Sequence, residues 1–457
     1  MDSRLALRRH DIAVAELRER IAALPEGAPI RLAKPTSNLF RFREPPATPG
    51  LDVSAFTGVL DVDPQARTAD VGGMTTYEDL ADATLAHGLM PMVVPQLKTI
   101  TLGGAVAGLG IESSSFRNGM PHESVLEMEI LTPDGDVVLA TADNEHAALF
   151  AGFGNSYGTL GYALRLRIEL DPVRPYVALR HVPFFDADAC ARAIDEVCAT
   201  GEWDGERVDF VDGTVFESDR LFLTLATFAD TAPYTSDYTG RHVYYRSVGT
   251  RRRDHLTVRD YLWRWDTDWF WCSRALGVQH PLVRRVLPKR YLRSDVYRRV
   301  VALDRRYRIS ARVDELRGLE PLEPVIQDVE VPVDALAEFL AFFHDRIGIT
   351  PVWLCPVRTR DGRRWPLYPM DTDTLYVNVG FWSGVRLAPG ESDGTYNRLI
   401  EREVRRLGGH KSLYSTSYFE RAEFEAGYGG EDYRRLRQTY DPKGRLPDLY
   451  DKCVRDA

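Results

Sequence analysis

The sequence has 457 residues, longer than one ordinary hydrophobic core, so two domains are expected. Its 44% hydrophobic and 27% charged residues exclude a wholly disordered chain, and a net charge of −9 argues against a nucleic-acid binder. The five scattered cysteines form no CxxC pair, which argues against a disulfide framework or a structural zinc site, so no metal is expected. No run of about 18 apolar residues marks a membrane-crossing helix. The N-terminal stretch is amphipathic and charged in both signs, so it reads as a folded helix of a cytoplasmic protein rather than a signal peptide.

Residues 12–24 show helical spacing, and residues 30–33 read as a short strand running into the polar turn Lys34-Pro-Thr-Ser-Asn38. Strands are expected over 57–62 and 66–72, and a helix over 76–87 with Gly88 as its stop. Residues 100–111 are rich in glycine and small apolar residues. Residues 125–131 alternate like a strand, Thr132-Pro-Asp-Gly135 is a hairpin turn, and 137–140 continue the hairpin. A helix over 144–151 and the glycine-punctuated loop 154–161 lead into a strand over 163–170. This first, α+β part ends near Pro172. Beyond it, strands are expected at 207–211, 221–227, 329–331 and 376–380. An insertion dense in Arg and Trp spans 251–308, and a long charged helix begins near Ser392.

The strongest chemical signal is Thr101-Leu-Gly-Gly-Ala-Val-Ala-Gly-Leu-Gly-Ile-Glu-Ser-Ser-Ser115. Paired glycines let a backbone approach a flat or phosphorylated ligand closely, and they also make tight turns in cores. The spacing matches neither the GxGxxG of a nicotinamide-binding Rossmann domain nor a phosphate-binding loop ending in GK[ST].

Lys34-Pro-Thr-Ser-Asn-Leu39, Pro95, Thr101-Leu-Gly-Gly104, Gly108-x-Gly110 and Ser156-Tyr-Gly-Thr-Leu-Gly161 follow in order. Together they resemble the FAD domain of the vanillyl-alcohol-oxidase (PCMH-type) flavoproteins. The resemblance implies an α+β fold: a two-subdomain FAD-binding domain over 1–172, an α+β substrate (cap) domain over 173–391, and a C-terminal segment, 392–457, returning toward the flavin. It implies FAD held by Thr36, Ser37, Asn38, Thr101, Gly103, Gly104, Gly110, Ser113, Ser114, Ser156, Gly158, Thr159 and Gly161. The first loop carries no His or Cys, so FAD is expected to be non-covalent.

Gly110-Ile-Glu-Ser-Ser-Ser115, Gln327-Asp328, Pro351-Val-Trp-Leu-Cys-Pro356, Leu375-Tyr-Val-Asn-Val-Gly380 and Pro447-Asp-Leu-Tyr-Asp-Lys452 resemble the Δ24-sterol reductase group. The sequence is similar, too, to actinobacterial flavoproteins that reduce a 10-methylene acyl chain to a 10-methyl branched one. These resemblances imply reduction of an isolated lipid C=C bond with NADPH as reductant. They further imply an acyl lipid substrate, which a phospholipid could carry, and a lipid methyltransferase as partner. Such an alkene needs a proton as well as a hydride, because protonation at one carbon develops positive charge at the other. A sugar or alcohol oxidase on the same scaffold, and a flavin-binding accessory protein without activity, are the competing readings.

Glu112 is the first candidate acid, since an apolar pocket would keep it protonated. Its other reading is a structural carboxylate that caps an N–H or pairs with an arginine. Tyr414 and His410 are second, and both also read as satisfied structural residues. Cys355 reads as core, and Tyr376 as either lining or packing. The run Tyr261-Leu-Trp-Arg-Trp-Asp-Thr-Asp-Trp-Phe-Trp271 and the basic residues after it admit two readings: a peripheral contact with the inner face of a membrane, or a helical cap packed on the core.

Overall fold

Two antiparallel sheets organise the computed structural model, which describes residues 3–34, 40–41, 49–240 and 242–454. The first sheet comprises β1 (Val59–Asp63), β2 (Thr68–Gly72), β3 (Leu89–Pro91), β4 (Val125–Leu131), β5 (Val137–Thr141) and β6 (Tyr162–Pro172). Its order is β1-β2-β6-β4-β5, with β3 also on β6. Leu164, Leu166, Ile168 and Leu170 alternate inward along β6, as a two-residue period dictates. Arg165 points the other way and binds Glu129 (2.7 Å), Glu127 (3.0 Å) and Asp70. Helix α1 (Ser3–Ala22) covers this outer face, and its buried His10 meets Glu129 Oε2 at 2.6 Å. Helices α2 (Tyr77–Leu85) and α3 (Leu102–Gly108) pack in the main core.

The second sheet is built from β7 (Tyr176–Phe184), β8 (Phe210–Glu217), β9 (Arg220–Ala229), β10 (Arg253–Thr257), β11 (Leu322–Pro332), β12 (Val352–Val357), β13 (Tyr376–Arg386) and β14 (His410–Lys411). Its order is β10-β7-β9-β8-β12-β13-β11-β14. Val325, Val329, Leu354, Val377, Val379 and Phe381 face one side, where α4 (Ala187–Thr200), α8 (Leu336–Arg346) and α9 (Thr395–Arg406) cover them. The alternate residues Asp328, Trp353 and Trp382 turn toward the first domain and border a cavity there.

The Arg/Trp-dense insertion divides into two unlike parts. Tyr261, Trp265 and Trp271 are at most 3% exposed, so the aromatic run is interior. Asp212 on β8 anchors it: its Oδ2 accepts from Arg264 Nη2 (2.8 Å), Trp265 Nε1 (3.1 Å) and Trp353 Nε1 (3.3 Å). The membrane reading of residues 261–271 is therefore corrected, because their apolar area is spent on the core. Three helices follow, α5 (Pro281–Val286), α6 (Ser294–Tyr307) and α7 (Ile309–Leu316). Among the described residues no helix is long and apolar enough to cross a membrane, and no cluster of three His, Cys, Asp or Glu side chains could hold a metal ion.

The segment after α9 returns to the first domain. Arg445 Nε donates to the Ala28 carbonyl (2.9 Å) and its Nη1 to that of Pro133 (2.7 Å), while Ile30 N donates to Arg445 O (3.0 Å). Leu446 joins the cluster of Leu17, Ile21 and Leu131.

Arg284 is buried against Asp268, with Nη1 to Oδ1 at 2.9 Å. Removing one partner of a buried pair strands the other charge. Arg284→Gln is expected to cost about 3 kcal/mol or more in denaturant unfolding. The exposed neighbour change Arg285→Gln should stay within about 0.5 kcal/mol. Equal midpoints for the two variants would contradict this placement.

Candidate active site

Between the sheets lies a cavity of about 790 Å³, its open mouth included. Gly108 to Glu112 form the wall on the first domain. Asp328, Trp353 and Trp382 form the opposite wall, from β11, β12 and β13. Trp269, Phe270 and Cys272 close one side, and Phe40, Ser412 and Tyr414 border another.

The closing side is strained. Trp269, Phe270 and Trp271 have φ of 49°, 47° and 60°, a left-handed conformation that non-glycine residues adopt at a cost of roughly 1–3 kcal/mol each. Stacking holds them there. Phe270 lies on Trp265 with centroids 5.1 Å apart and planes at 7°, and Trp269 stacks on Phe40 at 5.9 Å. The turn presents Trp269 and Phe270 to the cavity.

The paired glycines do not form the open loop that their composition suggests. They open helix α3, whose N-cap Thr101 accepts from Gly104 N (3.3 Å) and faces Lys34 Nζ at 3.4 Å. A Cβ on Gly103 would meet the Gly73 carbonyl at 2.8 Å, so Gly103 serves close packing. Gly104 is exposed, and a Cβ there would meet only Thr101 Oγ1 (2.8 Å) and Lys34 Nζ (3.8 Å). The loop 156–161 touches the end of the same helix: Tyr157 N donates to Ala107 O (2.8 Å) and Tyr157 Oη to Gly108 O (2.7 Å). Gly158 and Gly161 have φ of +75° and +133°, so turn geometry requires both. Thr159 Oγ1 donates to Ser156 O (2.7 Å), and Ser156 Oγ is buried without a protein partner.

Gly110 lines the cavity. Ser113 and Ser114 do not: Ser113 Oγ pairs with Tyr261 Oη (3.0 Å) and Ser114 Oγ donates to Met92 O (2.9 Å). Both hydroxyls are spent within the protein. Thr36, Ser37 and Asn38 lie outside the described residues.

Two carboxyl groups face the cavity from opposite walls. Glu112 Oε1 accepts from Gln96 N (2.8 Å) and Oε2 from Gln96 Nε2. Burial pushes Glu112 up to about 8, against the pull of those bonds and of Arg264. Asp328, which motif reading did not place in the site, is pushed up to about 7 by burial while Asn378 and Tyr414 bond to it. Gly380 sits opposite it in register, and a Cβ at Gly380 would meet Asp328 Oδ1, so the glycine reserves the carboxyl group's space. Tyr414 Oη accepts from Trp382 Nε1 (2.9 Å), and burial holds its hydroxyl well above the usual value. One strand period from Asp328, Glu330 is pushed up to about 8 by burial and bonds Tyr368 and Ser412 (3.1 Å).

His410 stands apart from the cavity-lining residues, against Tyr368 and Tyr376 at 5.4 and 5.9 Å. Burial lowers it to about 4, so it is neutral near neutral pH and a poor acid. Its candidacy as proton donor is corrected on both grounds. Cys355 is wholly buried on β12.

The raised carboxyl groups bind protons more tightly folded than unfolded, so their stability contribution is complete at low pH and lost as pH rises. For Glu112 and Asp328 the loss runs from their ordinary values, 4.5 and 3.8, to about 8 and about 7. The melting temperature of wild type is expected to fall across that window. The double variant Glu112→Gln, Asp328→Asn should show a flatter profile by calorimetry. Parallel profiles for the two proteins would refute the assignment.

Residues 15–141 match the FAD binding domain family. The chain is 26% identical to the Delta(24)-sterol reductase of Homo sapiens over 418 residues, covering 87% of this chain and 76% of that protein. It is likewise 26% identical to the Delta(24)-sterol reductase of Arabidopsis thaliana over 448 residues, covering 88% and 76%. Cytokinin dehydrogenase 6 of Oryza sativa subsp. japonica is 31% identical over 173 residues, 38% of this chain and 32% of that protein. The chain thus carries a PCMH-type FAD-binding domain and is a flavoprotein related, over most of its length, to the Delta(24)-sterol reductases.

Proposed function

We propose that this protein is an FAD-dependent oxidoreductase that reduces an isolated C=C bond of a lipid. The substrate proposed is a 10-methylene acyl chain, converted to the 10-methyl branched chain with NADPH as reductant. The observation that carries the reading is an aromatic cavity holding two carboxyl groups whose hold on the proton burial strengthens, Glu112 to about 8 and Asp328 to about 7. An alcohol or sugar oxidase needs a base, and an accessory protein needs no acid. The similarity to Delta(24)-sterol reductases supports C=C chemistry and keeps a sterol-type side chain as the alternative substrate.

The residues present fit FAD. Exposed Gly104 leaves open the space that a side chain would fill beside Lys34, and Gln96 Oε1 on the cavity wall is a buried acceptor without a protein partner. The Thr101–Gly104 turn and Lys34 would hold the pyrophosphate, with FAD non-covalent, and Gln96 would face the ring system. Reduced FAD supplies the hydride. The aromatic walls exclude water, which protects a developing positive charge from capture. Glu112 is assigned as proton donor to the less substituted alkene carbon. Asp328, oriented by Asn378 and Tyr414, is the second acid. A lipid methyltransferase, which would make the methylene substrate, is proposed as partner.

Acid precipitation of wild type should free a yellow chromophore into the supernatant, and Gly104→Val is expected to fold but to release none. Wild-type flavin content in that variant, or flavin that stays with the denatured wild-type protein, would contradict the proposed binding.

Glu112→Gln keeps shape but removes the acidic proton. NADPH should still bleach the flavin, while lipid-dependent reoxidation slows by roughly 100-fold. In wild type that second step should decline as pH rises through about 8, because the donor is then deprotonated, and the variant should lack this limb. Reoxidation of the variant at the wild-type rate would transfer the donor role to Asp328.

A further inference from the structure

Helices α5 to α7 wear apolar side chains on the outside. On α6, Val300, Leu303 and Tyr307 recur at i, i+3 and i+7, and all are exposed. On α7, Ile309, Val313 and Leu316 recur at i, i+4 and i+7, again exposed, with Leu316 at 88%. On α5, Leu282 and Val286 are 67% and 79% exposed. Amphipathic helices of a soluble domain turn such stripes inward, and a contiguous outward one marks an interaction surface.

The same stretch is strongly basic. Residues 281–320 hold twelve Lys and Arg against five Asp and Glu, in a chain whose net charge is −9. The surface adjoins the cavity: on the inner side of α6, Tyr297 stacks on Trp269, and Trp269 lines the cavity and stacks on Phe40.

We propose that α5, α6 and α7 form a docking surface for an anionic lipid bilayer, set beside the cavity so that an acyl chain passes from membrane to site. The proposal rests on the lipid-reductase reading. Its occupant is argued from charge. Apolar stripes flanked by arginines match an acyl–headgroup boundary, where the stripe enters the hydrocarbon and the guanidinium groups meet phosphate. A second copy of this chain would bring the same basic surface against itself and leave like charges opposed.

The test is flotation of the FAD-loaded protein with vesicles of phosphatidylcholine alone and of phosphatidylcholine with phosphatidylglycerol. Wild type should float with the anionic vesicles, and added salt should release it. Leu303→Glu with Leu316→Glu, and separately Arg285→Glu with Arg312→Glu, should each lower the partition constant on the order of tenfold or more. Flavin content and unfolding midpoint should not change. Absence of wild-type flotation at low salt, or equal flotation of the variants, would overturn the proposal. So would a wild-type dimer that Leu316→Glu dissociates without any effect on vesicles. Flotation without turnover of a 10-methylene lipid would sink the proposed reaction and leave the surface standing. Turnover of detergent-dispersed lipid by variants that no longer float would support both.

Discussion

One carboxylate ties the aromatic run 261–271 to the second sheet. Asp212 is 1% exposed and is held by one guanidinium and two indole N–H groups. Three donors converge on Oδ2, and a buried charge is tolerated only where such donors meet it, so the aromatic run must stay where Arg264 and Trp265 place it. Arg264 also lies over the Tyr261 ring at 3.9 Å, and Tyr261 reaches Ser113 beside Glu112. The cap's sheet is thereby coupled to the wall that carries the first acid.

The same packing explains the chemistry of the cavity. A carboxyl group in water is ionised at neutral pH, and burial among tryptophans and phenylalanines strengthens its hold on the proton. The left-handed turn at Trp269 to Trp271 brings that apolar surface to the site at a conformational cost, which the stacking on Trp265 and Phe40 offsets. Gly380 contributes by absence, giving Asp328 room to stay inside rather than swing out.

Strands with one wet face could be read almost to the residue: 125–131 as β4, and 163–170 within β6, because their alternation is unbroken. Strand β11 was legible only at 329–331, although it runs from Leu322 to Pro332. Gln327, Asp328 and Glu330 break its apolar pattern because Gln327 binds Asn397 on α9, Asp328 borders the cavity and Glu330 binds Ser412. Gln327-Asp328 stands out in the sequence only as part of a family motif, because nothing local in the pattern says that the Asp328 carboxyl faces a cavity. Helix α3 was hidden by its glycines, which lower helix propensity, although Thr101 is a cap signal. The outward stripes of α6 and α7 have ordinary amphipathic spacing, and spacing alone does not say which side meets the core.

The return of residues 445 and 446 to the first domain bears on how the protein is made. Arg445 bonds the carbonyls of Ala28 and Pro133, and Leu446 fills a core that α1 also lines. These contacts span more than 300 residues, so the nucleotide-holding half emerges early from the ribosome yet cannot close until the cap has been synthesised. Its nascent form exposes the groove that Leu446 later occupies. A chain interrupted within the cap would lack the bonds of Arg445 and the side chain of Leu446 that complete the core lined by α1.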